Sequence, residues 1–267
     1  MLNKLSKLKE IINNTGGAVI AFSGGVDSTF LLKVAKDVLS NNIIAVIGDS
    51  DTFPRAELSS AISLARDIGV SCRVIQTEEL SYPCFVQNSP DRCYFCKKEL
   101  FGKIKAIAVE MGYHYIFDGS NADDQNDFRP GMRAAREAGV VSPLKEAGLT
   151  KAEIRMLSKD AGLPTWDKPS MACLSSRFPY GTPITKEDLF KVEKAEEYLK
   201  KSGLRQVRVR IHGPIARIEV EKNMIPYIIN NLMEDVVSEL SSLGFTYITL
   251  DLKGFQSGSM NQTLRRK

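Results

Sequence analysis

The sequence predicts an α/β protein in which a domain built on a parallel sheet with crossover helices is followed by a smaller α+β domain. Two patterns carry this reading. From residue 17 short β-branched runs alternate with helical stretches, the rhythm of strands joined through helices in one sheet. Beyond residue 185 the order changes to a charged helix, two strictly alternating strands, a further helix and a last strand. With 267 residues the chain can bury a core in a medium domain and a smaller companion.

The strands of the first domain are read at 17–22 (GAVIAF), 43–48 (IIAVIG), 72–76 (CRVIQ), 115–117 and 140–144, all apolar enough to be buried on both faces. Helices are expected at 28–39, 54–68, 96–111 and 150–161. Pro54 suits a first helical turn, Gly69 and Gly112 suit helix ends, and Thr150 with Glu153 forms a capping box. The stretch 162–185 breaks this rhythm with Pro164, Pro169, Pro179 and Pro183 around MACLSSRF, and a loop this long reads as functional. The expected division is therefore 1–165, a junction at 166–184 carrying Cys173, and 185–267. In the last part a helix at 185–203 leads to QVRVRIH and IARIEV around Gly213 and Pro214, a hairpin pattern, then to a helix at 221–243 and the strand TYITLDL.

Hydrophobic residues at 43% and charged residues at 25% place the chain among soluble globular proteins. A net charge of +4, with basic and acidic residues interleaved, implies no stable nucleic acid partner. The first ten residues alternate Lys with Leu as an amphipathic helix does, and no window of about twenty apolar residues offers a membrane span, so a cytoplasmic protein is expected. Five cysteines are an odd number for a disulfide framework, which raises the prospect of metal or catalytic use.

The strongest local signal is Ser23-Gly24-Gly25-Val26-Asp27-Ser28, placed where a strand runs into a helix. Backbone N–H groups and the helix dipole bind phosphate oxygens at such a turn, and Ser23 and Ser28 add hydroxyls. The turn lacks the lysine and spacing of GxxxxGK[ST], so transfer of a γ-phosphoryl group is not expected; the plain alternative is an ordinary glycine-rich turn. Two further segments end strands near the same site: Asp49-Ser50-Asp51, which could equally be a solvated helix cap, and Asp118 to Asp124 with Gly119 and Asn121.

Cys93 and Cys96 form a C-x-x-C among basic residues, and Cys173 sits in the proline-rich junction. Three cysteines suit an iron–sulfur cluster with one open iron better than a closed zinc site of four ligands, although His114 or His212 could supply a fourth. Cys72, in a strand, reads as inert core, and Cys84 as structural. In the second domain Arg208, Arg210 and His212 share one strand face, with Arg217 opposite; they suit either an anion grip or a solvated face paired with Glu219.

The segments AFSGGVDS, RCYFCK, DGSNADD, RPGMRA at 129–134, ACLSSRFPYGTPIT and GFQSGSMN resemble the LarE family across nearly the whole chain. Its members belong to the pyrophosphatase-loop (PP-loop) ATPases, of adenine nucleotide alpha hydrolase-like fold. They are ATP-dependent sulfur transferases that mature the nickel-pincer nucleotide of lactate racemase. The resemblance implies adenylylation of the carboxylates of pyridinium-3,5-biscarboxylic acid mononucleotide and their conversion to thiocarboxylates, using ATP and Mg2+. It implies nucleotide-binding roles for Ser23, Gly24, Gly25, Asp27, Ser28, Asp49, Gly119, Asn121 and Asp124, and substrate roles for Arg133, Arg177, Glu197, Arg208 and Arg210.

Cys173 matches the cysteine that some members sacrifice as sulfur donor. The additional Cys93 and Cys96 resemble members in which three cysteines hold a [4Fe–4S] cluster, and that route is favoured here. Homo-oligomers, trimers or hexamers, are implied as well. Gln256 departs from the arginine expected at its place, which weakens one anionic contact or moves it elsewhere. Rival readings are a tRNA thiolase, an ammonia-using ligase of the GMP or NAD synthetase type, and a non-catalytic nucleotide sensor.

Overall fold

The computed structural model describes residues 1–126, 130–256 and 258–260, so Arg129, Ser257 and Asn261 of the motifs above lie outside the described residues. The chain divides into two compact units, Met1–Glu79 with Asp91–Met171, and Leu80–Pro90 with Ala172–Lys267.

In the first unit α1 (Leu2–Asn13), β1 (Ala18–Ala21), α2 (Val26–Leu39), β2 (Ile43–Asp49), α3 (Arg55–Ile68) and β3 (Cys72–Gln76) follow one another. Then come α4 (Arg92–Glu110), β4 (Ile116–Phe117), α5 (Pro130–Glu137) and α6 (Lys151–Asp160). The four strands are parallel in the order β3-β2-β1-β4. Successive strand side chains point to opposite faces, and here both faces are covered. Ala18, Ile20, Ile43, Ala45 and Ile47 pack with residues of α1, α2, α3 and α6. Val19, Ile44 and Val46 pack on the other side with Phe101, Ile104 and Ala135. β1 and β2 are thus as buried as their composition predicts.

β3 is not. It is the edge strand, and Arg73, Val74 and Gln76 are exposed. Residues 140–144 do not form a fifth strand either: Phe117 and Val141 make an isolated parallel bridge, and Pro143–Glu146 turns into a short helix. Pro143 has no N–H for a ladder and its fixed φ suits a first helical turn. α4 begins at Arg92 rather than near 96, which puts both Cys93 and Cys96 in its opening turns.

The second unit holds α7 (Lys186–Lys201), β5 (Val207–His212), β6 (Ile215–Val220), α8 (Met233–Ser242) and β7 (Tyr247–Leu250). β5 and β6 form the expected antiparallel hairpin, and β7 adds in parallel to β6. The long helix expected at 221–243 is broken into a 3-10 turn at Lys222–Met224, a turn at Ile225–Tyr227, a wide turn at Ile228–Leu232 and α8. Pro226 starts a helical turn but cannot continue one, because it lacks the N–H. Leu80–Pro90 joins this unit through backbone and side-chain bonds: Ile184 N donates to Val86 O at 2.9 Å, and the Asn88 amide donates to Pro179 O at 2.7 Å.

α6 carries the capping box read from the sequence. Thr150 Oγ1 accepts from Glu153 N, and the Glu153 carboxylate accepts from Thr150 N at 2.9 Å. Lys4 of α1 holds the same carboxylate at 2.8 Å; its hydrogen bond, with that of the Thr150 amide, lowers Glu153 to about 2. Thr150→Ala should therefore cost about 1 kcal/mol of stability in urea unfolding. An unchanged midpoint would contradict the cap.

Candidate active site

The phosphate turn stands where the sheet's connections reverse. β1 lies between β2 and β4, so the chain leaves β1 toward opposite sides of the sheet, the switch point at which open parallel sheets bind ligands beyond the carboxyl ends of their strands. Two glycines let the turn sit there. Gly24 has φ 66° and presses on α3, where an added Cβ would lie 2.8 Å from Ala61 Cβ. Gly119, after β4, would place a Cβ only 3.0 Å from Ser28 N, so the loop after β4 packs directly against the start of α2. Ser23 Oγ and Ser28 Oγ are 3.1 Å apart, and Ser28 Oγ donates to Gly25 O at 3.3 Å.

Asp27 is in the first turn of α2. Its Oδ2 accepts from Lys151 Nζ at 2.5 Å, while Oδ1 is buried with no hydrogen-bond partner among the described residues. An orphaned carboxylate oxygen beside a phosphate turn fits a hard cation such as Mg2+. Lys151 escaped the sequence reading; it occupies the first helical position after the Thr150 cap, and only the packing of α6 beside α2 brings it to Asp27.

The neighbouring loops are pinned by their own side chains. Asp49 accepts from Gln76 Nε2 at 2.6 Å and pairs with Arg55 at 2.5 Å. Asn121 N donates to Asp124 Oδ2 at 2.9 Å, and Asp123 N to Asn121 Oδ1 at 2.9 Å. Asp49, Asn121 and Asp124 are buried, so these groups shape the loops around the turn.

No disulfide joins the five cysteines. Cys93 is exposed and Cys96 half-buried, one helical turn apart. The Cys96 thiol donates to Glu79 Oε1 at 3.3 Å, and buried Glu79 also accepts from Thr77 at 3.2 Å. Arg133 is exposed, with its guanidinium 4.0 Å from the centre of the Tyr94 ring and 3.9 Å from Glu137. Burial pushes the Cys72 thiol up, in keeping with an inert residue, whereas Cys84 is exposed. Among the described residues neither unit gathers three His, Cys, Asp or Glu side chains into a metal-holding group.

In the second unit Cys173 precedes the 3-10 turn Leu174–Arg177. Arg177 is 2% exposed and forks onto Glu196 with bonds of 2.8 and 2.7 Å. It also donates to the carbonyls of Ala172 and Cys173 at 2.8 and 3.0 Å, so it fixes the backbone on which Cys173 sits. The two adjacent acids of α7 sit differently. Glu197 lies on the outer side of α7 with Lys194 and Lys201, and Glu196 faces inward. Burial works to raise the Glu196 carboxyl, but Arg177, then Arg208 and the Val209 amide, outweigh it and hold it below the usual carboxylate range.

The arginines of β5 do not form a solvated face. Arg208 and Arg210 are buried, and Arg210 stands directly opposite Arg217 in the hairpin register. Buried Glu219, also missed from the sequence as more than a surface partner, takes Arg210 at 2.8 Å, Arg217 at 3.0 Å and Ser259 at 3.0 Å. Burial first, then Arg177, lower Arg208 to about 10. Burial and the neighbouring Arg217 and Arg210 also lower His212. Gln256 lines a cavity of about 200 Å³ with Arg217, Asp251, Lys253, Gly254 and Ser259, so the cationic groups there are Arg217 and Lys253.

The chain is similar to several known proteins. Residues 3–114 match the family model described as NAD synthase. The chain is 44% identical to the uncharacterized protein slr1717 of Synechocystis sp., covering 99% of both. It is 40% identical to the pyridinium-3,5-bisthiocarboxylic acid mononucleotide synthase of Lactiplantibacillus plantarum, covering 100% of this chain and 96% of the relative. It is 29% identical to the uncharacterized protein MJ0830 of Methanocaldococcus jannaschii, covering 96% and 98%.

Breaking a buried ion pair leaves a charge without its partner, at about 3–5 kcal/mol. Glu196→Gln should therefore destabilise the protein by about that much at pH 7. Because the folded value of Glu196 is depressed from 4.5, its contribution is present above that value and is lost as pH falls through the lower one. Urea unfolding of the variant should show a flatter loss of stability below pH 4.5 than the parent. Parallel acid limbs would refute the pairing.

Proposed function

The chain belongs to the family of pyridinium-3,5-bisthiocarboxylic acid mononucleotide synthases, and from that membership we propose the chemistry its residues perform. It is an ATP-dependent sulfur transferase that converts the carboxylates of pyridinium-3,5-biscarboxylic acid mononucleotide into thiocarboxylates for the nickel-pincer nucleotide. One observation carries this reading: a lysine-free glycine turn at the switch point of a parallel sheet, with an orphaned Asp27 oxygen beside it.

The turn's N–H groups, Ser23 and Ser28 hold the outer phosphates of ATP, and Asp27 holds Mg2+. A substrate carboxylate oxygen attacks the α-phosphorus; the bond to the bridging oxygen breaks and pyrophosphate leaves, giving an acyl adenylate. A sulfur nucleophile then adds to the acyl carbon, and AMP leaves with an oxygen that belonged to the carboxylate. The same sequence repeats on the second carboxylate. Gly119, Asn121, Asp124 and Asp49 shape the nucleotide's surroundings.

By the family resemblance Cys93, Cys96 and Cys173 are the residues that would hold a [4Fe–4S] cluster; Cys93 and Cys96, unbridged and one helical turn apart, suit two of its ligands. When bound, such a cluster supplies a replaceable sulfur at its open iron. Arg208 and Arg210 receive the anionic substrate, Arg177 positions Cys173 against Glu196, and Arg133 contributes a further cation. Ile229, Met233 and Val237 are exposed at spacings of four and support self-association into a homo-oligomer. Among the described residues no helix is long and apolar enough to cross a membrane, and we place the enzyme in the cytoplasm.

Anaerobic turnover with ATP, Mg2+ and the biscarboxylate nucleotide, followed by mass spectrometry of product and protein, tests this. The parent protein should carry iron and sulfide and form thiocarboxylate. Cys173→Ala should keep substrate-dependent pyrophosphate release and lose thiocarboxylate. Dehydroalanine at position 173 with no iron bound would overturn the cluster route. Unchanged substrate-dependent ATP turnover after replacing all three cysteines, with ammonia incorporated to give a carboxamide in place of the thiocarboxylate, would overturn sulfur transfer itself, in favour of an ammonia-using ligase.

A further inference from the structure

A bound triphosphate brings several negative charges to the turn at Ser23–Ser28, and that turn contains neither Lys nor Arg. Backbone N–H groups and the α2 dipole supply only partial charge. Lys151 is committed to Asp27. A second lysine, however, stands at the turn from far along the chain. Lys168 Nζ donates to the carbonyl of Gly24 at 3.1 Å and pairs with Glu57 Oε2 at 2.7 Å. Both side chains are largely buried, at 20% and 17% exposed.

This placement is built rather than incidental. Glu57 lies in the first turn of α3, the helix whose Ala61 presses on Gly24, so the wall that shapes the turn also holds the lysine. The loop carrying Lys168 is clamped from α6. Arg155 donates to Trp166 O at 2.6 Å and to Lys168 O at 2.7 Å, and the Lys159 ammonium lies 4.7 Å over the Trp166 ring. α6 is the same helix that presents Lys151 to Asp27, so one capped helix sets two lysines at the phosphate turn. An ammonium has three donors, which lets Lys168 keep Gly24 and Glu57 and still reach a phosphate oxygen.

We propose that Lys168 is the cation that binds the pyrophosphate portion of ATP, steadied by Glu57 and positioned by Arg155. The inference rests on the adenylylation reading and deepens it. It supplies from residue 168 the charge that the turn's own sequence lacks, and it makes α6 a positioning element for the phosphate site.

Calorimetric binding of ATP, inorganic pyrophosphate and AMP, each with Mg2+, separates the possibilities. In Lys168→Met, ATP and pyrophosphate should weaken by about tenfold or more, the worth of one charge-assisted contact, while AMP changes by less than about twofold. Arg155→Ala, which removes no group proposed to touch a phosphate, should show the same selective loss. Lys168→Arg should recover part of the pyrophosphate affinity, because the charge is kept.

Unchanged pyrophosphate binding in Lys168→Met, with a parent protein that binds ATP, overturns this inference alone. An equal loss for all three ligands, with a lowered melting temperature, assigns Lys168 a structural role and overturns it as well. A parent protein that binds neither ATP nor pyrophosphate overturns the adenylylation reading together with it.

Discussion

The first unit depends on a close contact that only glycine permits. β1 ends at the centre of the sheet, and the turn after it is pressed between α3 at Gly24 and the loop after β4 at Gly119. A side chain at Gly24 would strike Ala61, and one at Gly119 would crowd the backbone of Ser28 at 3.0 Å. The turn is therefore fixed by packing before any ligand arrives. What surrounds it follows from that: Asp27 is presented by the first turn of α2, and Lys151 reaches it because α6 packs on the same face. A preorganised set of donors lowers the cost of ordering a phosphate chain on binding.

The second unit is organised by charge in a place where charge is expensive. Arg177, Arg208 and Arg210 are buried, and two buried carboxylates, Glu196 and Glu219, answer them. Glu196 takes both arms of Arg177 and an amide of β5, and Glu219 is shared by arginines that face each other across the hairpin. Desolvation of ions this deep is offset by pairing and hydrogen bonding, although Arg210 Nε and Arg217 Nε are left without a hydrogen-bond partner among the described residues. The buried arginines outnumber the buried glutamates of this network, and burial holds the Arg208 guanidinium down to about 10. An anion would relieve that excess, and this is the physical ground for the proposal that these arginines receive a phosphate or carboxylate.

Much of the fold was legible because β1 and β2 are apolar on alternate positions that both meet helices, and because Thr150 and Glu153 cap a helix by purely local bonds. The misreadings have physical causes. β3 has the composition of a core strand but ends the sheet, and strand order is not written in any one segment. Residues 140–144 look β-branched, yet Pro143 turns them into a helix. The buried role of Glu196 went unread because it has acidic neighbours on one helix, and only the rotation of α7 against β5 turns it to the Val209 amide. The alternating arginines of β5 resemble a solvated face because their partners, Glu196 and Glu219, come from another helix and another strand. Lys151 and Lys168 carried no motif at all, since only the packing of α6 and its following loop brings them to residues 24 to 57.

The direct test of the account is the fate of the carboxylate oxygen. With substrate labelled by 18O in its carboxylates and unlabelled ATP, turnover should deliver the label into the phosphate of AMP, read by mass spectrometry and phosphorus NMR, with unlabelled pyrophosphate as the other product. ADP and inorganic phosphate in place of AMP and pyrophosphate, or AMP free of the label, would contradict it.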